Sequence, residues 1–358
     1  MIPTKHIAAA ACAAALFTGP GSADFNWTPQ DSAAVQARVE AGEFGTVTSL
    51  LILQNGETMF EEYFDGADAE TQHDTRSVTK TITGMLVGAA IADGHLQFDA
   101  PLAPLFEAEA PFANPDPRKL AITIEDLITM SGPLECDDMT PYSRGNEERM
   151  YLVEDWTSFF WDLPIRGYPS WVTPPDQSFN GRVFSYCTAG VQILGEAVER
   201  AAGEPLADYA QRRLFDPLGV DRPGWRRTGS GRLQLGGGLR LTTRDLAAFG
   251  ELQRRGGEVD GASILPESWT AAAAETSVHT SYADGVEYGY LWWLRPYEVD
   301  GVSYRSVEMS GNGGNRVWVL PEFGITAVMT KTDYNTRGMH EASNRFLFEE
   351  LVPRLRAP

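Results

Sequence analysis

The order of β-rich and helix-rich segments along the chain most restricts the folds that it can adopt. Residues 46–64 alternate in polarity around Asn55-Gly56, a dipeptide that favours a tight hairpin. β-rich segments return only near the C-terminus, at residues 288–294, 302–309, 315–320 and 324–331. Strands at both ends with helices between them predict an α/β (α+β) fold, with one antiparallel sheet built from both chain ends and flanked by helices.

Between these strands the sequence has the pattern of helices joined by long polar loops. Residues 79–92 are apolar with few breaks and predict a buried helix that stops at Asp93-Gly94. The clearest further helices are expected at residues 123–129, 189–202, 206–214 and 243–255, followed by an amphipathic C-terminal helix at about 341–351.

These segments predict two structural regions. A sheet domain would comprise residues 24–96 and 277–358, and an inserted, mainly helical domain would comprise residues 97–276. The cleft between the two is where we expect a binding site, because ligand sites favour concave boundaries of this kind.

Residues 1–23 have the organisation of a secretory signal peptide. Lys5 and His6 precede an Ala-rich apolar run, and Gly21-Ser22-Ala23 provides small residues for cleavage. A lipoprotein signal at Cys12 is the competing interpretation. The apolar run is too short to span a bilayer, so the sequence predicts a secreted or periplasmic protein with no membrane anchor after signal removal.

Composition narrows the class of partner. The 358 residues include 29 Lys and Arg against 49 Asp and Glu, a formal net charge of −20, which repels nucleic acid and anionic membranes. The five histidines are scattered without metal-ligand spacing, and no nucleotide-binding glycine motif or Gly-x-Ser-x-Gly elbow is present. We therefore expect a small-molecule substrate and no metal or organic cofactor; the oligomeric state stays open.

Two cysteines fall within the expected mature chain. Export would leave Cys136 and Cys187 in an oxidising compartment, where a disulfide between them is favoured. Two separate buried thiols are the alternative.

The segment Ser77-Val78-Thr79-Lys80 is the first candidate for chemistry. Positions i and i+3 share a helix face, so the Lys80 amine can reach the Ser77 hydroxyl. A lysine at a desolvated, positively polarised helix start can have a lowered pKa and accept a proton from serine. A chance match is the alternative interpretation, and the location at the start of the buried helix argues against it.

Two further segments carry polar groups suited to the same chemistry. Tyr186 lies just before the predicted helix at 189–202 and could act as a general base, although a structural tyrosine is the simpler interpretation. The Gly-rich turn at residues 310–315 could offer backbone N–H groups to an oxyanion, or could be an ordinary hairpin turn.

Taken in order, Ser77-x-x-Lys80, Tyr186-x-Thr188 and a Gly-rich turn on a sheet strand resemble the serine β-lactamase and penicillin-recognising superfamily. Within it the chain looks most like the class C β-lactamase branch, which includes esterases and 6-aminohexanoate-dimer hydrolases. Residues 122–132, 214–219 and 236–246 are similar to further segments of that branch, so the resemblance covers nearly the whole expected mature chain.

The resemblance implies a role for each matching residue. Ser77 would be the acylated nucleophile, Lys80 would activate it, and Tyr186 would be the base that later primes water. The oxyanion would be held by the backbone N–H of Ser77 and by the turn, at Asn312, Gly313 and Gly314. Thr188 and Asn315 would lie in the substrate pocket.

Two departures from the family pattern bear on the substrate. The β-lactamases of this branch carry Tyr-x-Asn, where this chain has Thr188, and their Lys-Thr-Gly motif has no lysine counterpart here. A β-lactam carboxylate would thus lose a charge-assisted contact of about 1.5–3 kcal/mol, unless Arg316 or Arg337 supplies the cation. An esterase or dimer-hydrolase activity is favoured; the alternatives are a penicillin-binding D,D-peptidase or weak β-lactamase, and a non-catalytic binding or sensor protein.

Two other polar features have mainly structural interpretations. His73 precedes Ser77 by four residues and is more typical of a turn than of a pocket wall. Asp137 and Asp138 are more typical of a solvated acidic loop than of a calcium site.

Overall fold

The computed structural model describes residues 24–168, 170–171, 183–275, 278–280 and 285–357. The predicted signal segment, residues 1–23, lies outside the described residues.

The strands and helices follow the expected order, with β structure at both ends. The strands are β1 (Asp24–Phe25), β2 (Val47–Gln54), β3 (Glu57–Tyr63), β4 (His73–Asp74), β5 (Gly224–Trp225), β6 (Leu239–Leu241), β7 (Glu258–Val259), β8 (Ala262–Ser263), β9 (Val278–His279), β10 (Glu287–Tyr288), β11 (Trp293–Val299), β12 (Val302–Gly311), β13 (Asn315–Leu320), β14 (Ile325–Lys331) and β15 (Leu355–Arg356). The α-helices are α1 (Pro29–Glu40), α2 (Val78–Ala92), α3 (Pro117–Leu120), α4 (Ile124–Ile128), α5 (Glu147–Met150), α6 (Trp156–Asp162), α7 (Thr188–Ala202), α8 (Leu206–Ala210), α9 (Asp216–Leu218), α10 (Thr243–Arg254), α11 (Glu267–Glu275) and α12 (Met339–Phe346). Turns of π-helix extend α8 and α12, at Gln211–Phe215 and Leu347–Leu351.

The main sheet is antiparallel, and its described strands follow the order β3-β2-β14-β13-β12-β11-β10-β9. The two chain ends meet where β2 pairs with β14, with Gln54 opposite Ile325 and Val47 opposite Lys331. The predicted sheet built from both ends is therefore confirmed. The hairpin of β2 and β3 turns at Asn55-Gly56, as predicted, and both residues have positive φ.

Alternation along the strands separates two hydrophobic layers. On β13, Trp318 faces a layer that also contains Val35 of α1 and Phe346 of α12. Its neighbour Val317 faces the opposite layer, which contains α2, α7 and α10. Helices thus cover both faces of the sheet, and α2, which begins next to Ser77, is held between the sheet and α7.

Helix α10 packs directly on the sheet, against β13 and β14. The approach is close at Gly250, where an added Cβ would lie 2.6 Å from Thr326 Cγ2 and 2.9 Å from Val317 Cγ1. This helix falls in the segment 97–276 that was expected to be an inserted helical region, yet it forms part of the covering layer of the sheet.

One strand prediction was wrong. The apolar stretch 288–294 was expected to be a single strand, but β10 ends at Tyr288 and β11 begins at Trp293. Leu291 adopts a φ of +61° between them and donates its N–H to the Ile128 carbonyl at 3.0 Å. The chain therefore turns at this point to contact the end of α4, a tertiary contact that alternation in the sequence does not reveal.

A disulfide joins Cys136 to Cys187, 51 residues later in the chain. This bond was the favoured prediction for the two cysteines. It ties the loop that follows α4 to the first residue before α7. Among the helices that the structure describes, none has both the length and the apolar character that crossing a bilayer requires.

Candidate active site

Ser77 lies at the junction between β4 and α2. Strand β4 belongs to a small sheet of order β4-β6-β5, and Thr75 adds a 2.7 Å hydrogen bond from its hydroxyl to the Leu239 carbonyl. Arg76 then takes a φ of +51°, an uncommon conformation for a residue with a side chain. The Ser77 hydroxyl makes no capping bond to its own helix, so its oxygen remains available to the side chains around it.

The Lys80 amine contacts the Ser77 hydroxyl directly. Lys80 Nζ lies 3.0 Å from Ser77 Oγ and 2.6 Å from the Gly236 carbonyl, and the lysine is only 1% exposed. Burial lowers the pKa of Lys80, while the negative charges of Glu147 and Asp138 act in the opposite direction. A buried amine with a lowered pKa can be neutral when it meets the serine hydroxyl.

Tyr186 also lies beside the Ser77 hydroxyl. That hydroxyl is near enough to the phenol to lower the Tyr186 pKa, and Lys80 Nζ lies 5.0 Å from the centre of the ring. The ring is fixed by stacking on Trp293, with a centroid distance of 5.8 Å. Burial raises the pKa of Tyr186, whereas the Ser77 hydrogen bond and the nearby Arg316 lower it. In the protein without substrate, Tyr186 is therefore a neutral phenol, and a neutral phenol can pass protons between neighbouring groups.

The Gly-rich turn lies against the segment that leads to Ser77. Gly311 must lack a side chain, because a Cβ there would be 2.2 Å from the Thr75 carbonyl oxygen. The N–H of Gly313 donates to Met339 Sδ and that of Gly314 to the Gly311 carbonyl. Of the predicted oxyanion donors in the turn, Asn312 lines the same cavity as Ser77.

Neither predicted pocket residue is among the described residues that line this cavity. Asn315, 1% exposed, accepts a hydrogen bond from the Lys331 N–H and donates one to the Asn312 carbonyl at 2.8 Å. It therefore stabilises the turn instead of lining the pocket. Thr188, at the start of α7, is equally buried, and its hydroxyl is within hydrogen-bond distance of two carboxylates.

Those carboxylates, Asp138 and Glu147, are site residues that sequence reasoning missed. Asp138 Oδ2 accepts the Thr188 hydroxyl at 2.6 Å and the Thr188 N–H at 2.8 Å. Burial, reinforced by the charge of Glu147, raises the pKa of Asp138 to about 7. The expectation of a solvated acidic loop was wrong for Asp138, because that loop folds inward.

A signal for this placement is present in the sequence. Asp138 follows Cys136 by two residues, and Thr188 directly follows Cys187. A disulfide between the cysteines therefore brings the acid and the threonine together, and the contact could have been inferred from the bond.

Ser77 lines a cavity of about 450 Å³ that contains side chains of both charges. Arg76 and Arg226 are among its lining residues and share the carboxylate of Asp74, at 3.0 and 2.8 Å. The acidic residues Glu147, Glu148 and Glu154 also line it, together with the apolar side chains of Tyr151, Leu152, Val153 and Trp156.

The arginines suggested as substitutes for the missing lysine differ in location. Arg316 is 3% exposed, behind the turn, and donates to the Ser310 hydroxyl. Burial lowers its pKa to about 10, and Arg337 is exposed. In the cavity itself, the guanidinium groups come instead from Arg76 and Arg226. Among the described residues, no group of three or more His, Cys, Asp or Glu side chains could hold a metal ion.

Comparisons with known proteins show the family to which the chain is similar. The β-lactamase family model matches residues 33–350. The 6-aminohexanoate-dimer hydrolase of Paenarthrobacter ureafaciens is 23% identical over 323 residues, which cover 84% of this chain and 77% of that protein. The lovastatin esterase of Penicillium rubens is 28% identical over 165 residues, 40% of this chain and 37% of the esterase.

A solved structure shows that the likeness extends to the fold. The D-stereospecific amidohydrolase from a Streptomyces species superposes with a TM-score of 0.64 at 16% identity, covering 88% of this chain and 98% of that one.

Proposed function

The chain belongs to the β-lactamase family of serine acyl-enzyme hydrolases, and from this membership we propose that it is an exported hydrolase of carboxylic esters or amides that acts through an acyl-enzyme on Ser77. The observation that carries the proposal is the meeting of three side chains at one hydroxyl. Lys80 Nζ lies 3.0 Å from Ser77 Oγ, and the Tyr186 phenol is near enough to the same serine for its hydroxyl to lower the Tyr186 pKa.

In the acylation step, Ser77 Oγ attacks the substrate carbonyl carbon and its proton passes to Lys80 Nζ. The lowered pKa of Lys80 favours the neutral amine that this transfer requires. The N–H groups of Ser77 and Asn312 would donate to the oxyanion that develops. When the tetrahedral intermediate collapses, the bond to the leaving oxygen or nitrogen breaks, and that atom receives the Lys80 proton through the Tyr186 hydroxyl.

Deacylation uses the same groups in reverse. A water molecule adds to the acyl carbon and gives a proton to the Tyr186 oxygen, while the phenol passes its own proton to Lys80. The raised pKa of Tyr186 favours such a relay over a free phenolate. Collapse of the second intermediate releases the carboxylic acid and returns the proton to Ser77 Oγ.

The choice of ester or amide substrates rests on the relatives and on the third motif. The names of two relatives specify a 6-aminohexanoate-dimer hydrolase and a lovastatin esterase. Met309-Ser310-Gly311 at the end of β12 contains no lysine. Both observations favour linear esters or amides over β-lactams.

A second candidate, a penicillin-binding D,D-peptidase or weak β-lactamase, has one observation in its favour. Arg76 and Arg226 line the cavity with a single carboxylate, Asp74, between them. Two positive charges thus share one negative charge, that of Asp74, and the excess positive charge could bind a substrate carboxylate. Rapid turnover of a chromogenic cephalosporin, compared with p-nitrophenyl esters and linear amides, would favour this candidate.

Export is supported by two features. The N-terminal segment has the pattern of a signal peptide. The Cys136–Cys187 disulfide is of the kind that persists in oxidising compartments. The N-terminal sequence of the protein recovered from the periplasm or medium tests this point, and a start at Asp24 is expected.

Labelling with a fluorophosphonate tests the nucleophile. We expect one adduct per chain, located on Ser77 by peptide mass, and no adduct in Ser77→Ala. Labelling that survives this substitution in a folded variant would refute the assignment of Ser77, whereas hydrolysis lost together with labelling supports it.

A further inference from the structure

We propose that Asp138 and Glu147, bridged by the Thr188 hydroxyl, share one proton and act as an acid pair that stabilises the Lys80 ammonium formed when Ser77 loses its proton. The proposal rests on the acyl-enzyme function above and assigns positioning roles to Asp138 and Glu147, which lie outside the family motifs, and to Thr188, which replaces the Asn of Tyr-x-Asn.

The count of hydrogen atoms is the first argument. Thr188 Oγ1 lies 2.6 Å from Asp138 Oδ2 and 2.9 Å from Glu147 Oε2. A hydroxyl has one hydrogen and can donate to only one of two ionised carboxylates. The other contact requires a proton on a carboxyl group that donates to the hydroxyl oxygen, so the arrangement fits a pair holding one proton and one negative charge.

The remaining contacts fix both carboxylates. Asp138 Oδ1 accepts the Glu147 N–H at 2.9 Å, and Asp138 Oδ2 also accepts the Thr188 N–H. The Tyr151 hydroxyl donates to Glu147 Oε2 at 2.9 Å. The backbone of Asp138 is itself bonded to the Tyr186 carbonyl. Donors from the main chain and from Tyr151 thus favour one retained negative charge in the pair.

Thr188, which bridges the acid pair, and Lys80 both lie beside Gly236. A Cβ on Gly236 would be 2.4 Å from Thr188 Cγ2 and 3.6 Å from Lys80 Nζ, so threonine and lysine flank the same residue. Within the described part of the chain, Lys80 itself bonds only to the uncharged oxygens of Ser77 and Gly236. Its stabilising charges come from Glu147 and Asp138, which act through space.

The acid pair supplies charge without changing the proton balance of the reaction. The Ser77 Oγ–H bond breaks, the proton goes to Lys80 Nζ, and the shared proton stays between the carboxylates. Because the new ammonium is buried, an adjacent negative charge lowers the free energy of that state. In the two-step reaction this stabilisation would operate each time Lys80 holds the proton.

The ionisable neighbours define what a pH profile would report. Lys80 faces Asp138, Glu147 and Tyr186, and the acid pair also contacts Tyr151. Arg316 lies near Tyr186 from the sheet side. The variants that report on the pair are therefore Glu147→Gln and the double variant Asp138→Asn/Glu147→Gln. The single change removes the shared proton and leaves one carboxylate charge on Asp138, whereas the double change removes that charge with little change in shape.

The experiment measures the rate constant for acylation by a p-nitrophenyl ester against pH. In the double variant, loss of the acid charge lowers the pKa of Lys80, so the rise of the rate with pH moves to lower pH, by about one unit, whereas Glu147→Gln alone should keep the wild-type midpoint. The plateau falls by about tenfold because the amine becomes a weaker base. Asp137→Asn is the matched control: its carboxylate bonds to the Met139 N–H and the Thr140 hydroxyl, outside the pair, and its profile should match the wild type.

Two outcomes separate the failures. If Ser77→Ala still reacts, the proposed function fails. If the wild type is labelled on Ser77 but the folded double variant keeps the pH profile of Asp137→Asn, the acid pair is refuted. A shift of a full unit in Glu147→Gln alone also refutes it, because both acids would then be charged in the wild type. Glu147 is only partly buried, so this second test serves even if the double variant does not fold.

Discussion

Two clusters of polar side chains lie at the segment that runs from His73 to Ser77, and they differ in charge. The first, which we call the hydroxyl cluster, contains one histidine and four hydroxyl side chains: His73, Thr48, Ser49, Thr243 and Thr330. The second, which we call the reactive cluster, consists of Ser77, Lys80, Asp138, Glu147, Tyr186 and Thr188.

The hydroxyl cluster is neutral and satisfied within itself. His73 Nδ1 lies 3.2 Å from the Thr48 hydroxyl, and its Nε2 lies 3.3 Å from that of Thr243. Burial lowers the pKa of His73 to about 4, so its ring stays uncharged at neutral pH. In the reactive cluster, by contrast, the lysine is buried, the two acids are partly buried, and Lys80 makes no direct ion pair with either of them. The contrast shows that a buried polar cluster with satisfied hydrogen bonds can stay neutral, whereas ionisable groups held close without an ion pair can exchange protons.

Replacing Lys80 should produce the largest loss and separate the clusters most clearly. Lys80→Met removes the proton acceptor, and we expect turnover to fall by about 10⁵-fold, since members of such a unit fail together. Lys80→Arg should not restore activity, because a guanidinium stays protonated. Ester hydrolysis, with the melting temperature as a check of folding, measures the effect. Near-normal turnover by a folded Lys80→Met variant would contradict the mechanism.

Removing the phenol of Tyr186 should have the next largest effect. Tyr186→Phe keeps the stacking on Trp293 and loses only the proton relay, so turnover should fall by about 10²–10⁴-fold. Tyr288→Phe, which alters a hydroxyl in the same aromatic group, is the control for packing. Equal losses in the two variants would assign Tyr186 to the packing of the pocket instead.

Breaking the disulfide should affect stability and the reactive cluster together. Cys136→Ser with Cys187→Ser removes a cross-link over 51 residues, and the free energy of unfolding should fall by about 4 kcal/mol on the chain-entropy model. Chemical denaturation measures the loss. Because the bond also holds Asp138 near Thr188, the acylation profile should shift in the same direction as in the double variant Asp138→Asn/Glu147→Gln; an unchanged profile would show that other contacts hold the pair.

The smallest prediction concerns the hydroxyl cluster and involves stability alone. The unfolded state binds a proton on His73 below about pH 6.5, whereas the folded state resists it down to about pH 4. Lowering the pH through this window should therefore reduce the free energy of unfolding by about 3 kcal/mol through this group. In His73→Gln the pH dependence should be flatter by that amount, with the acylation pH profile unchanged. A parallel dependence in both proteins would contradict the assignment.

The sequence predicted the larger elements because their signals are local. The hairpin at Asn55-Gly56, α2 and the strands β12 to β14 depend on alternation, turn residues and apolar runs, all readable in short windows. The Ser-x-x-Lys contact was equally accessible, since a helix fixes the spacing of Ser77 and Lys80.

The missed features all depend on contacts between distant segments. The turn at Leu291 bonds to Ile128, and Asp138 bonds to Thr188 fifty positions later. Helix α1 has a capping box at Thr28 and Asp31, but its apolar face is short and becomes evident only through packing on the sheet. Such contacts depend on tertiary placement, which residue types in one window do not specify.

The pairing of β2 with β14 has a consequence for the order of synthesis. Strand β2, which precedes the proposed nucleophile Ser77 by about two dozen residues, pairs early with β3 but finds its second partner, β14, only after Ile325 has been translated. Asn312, the proposed oxyanion donor, also comes from that late segment. A nascent chain therefore carries Ser77 for most of its elongation without a completed sheet, and hydrolytic competence begins only once the last strands have left the ribosome or translocon.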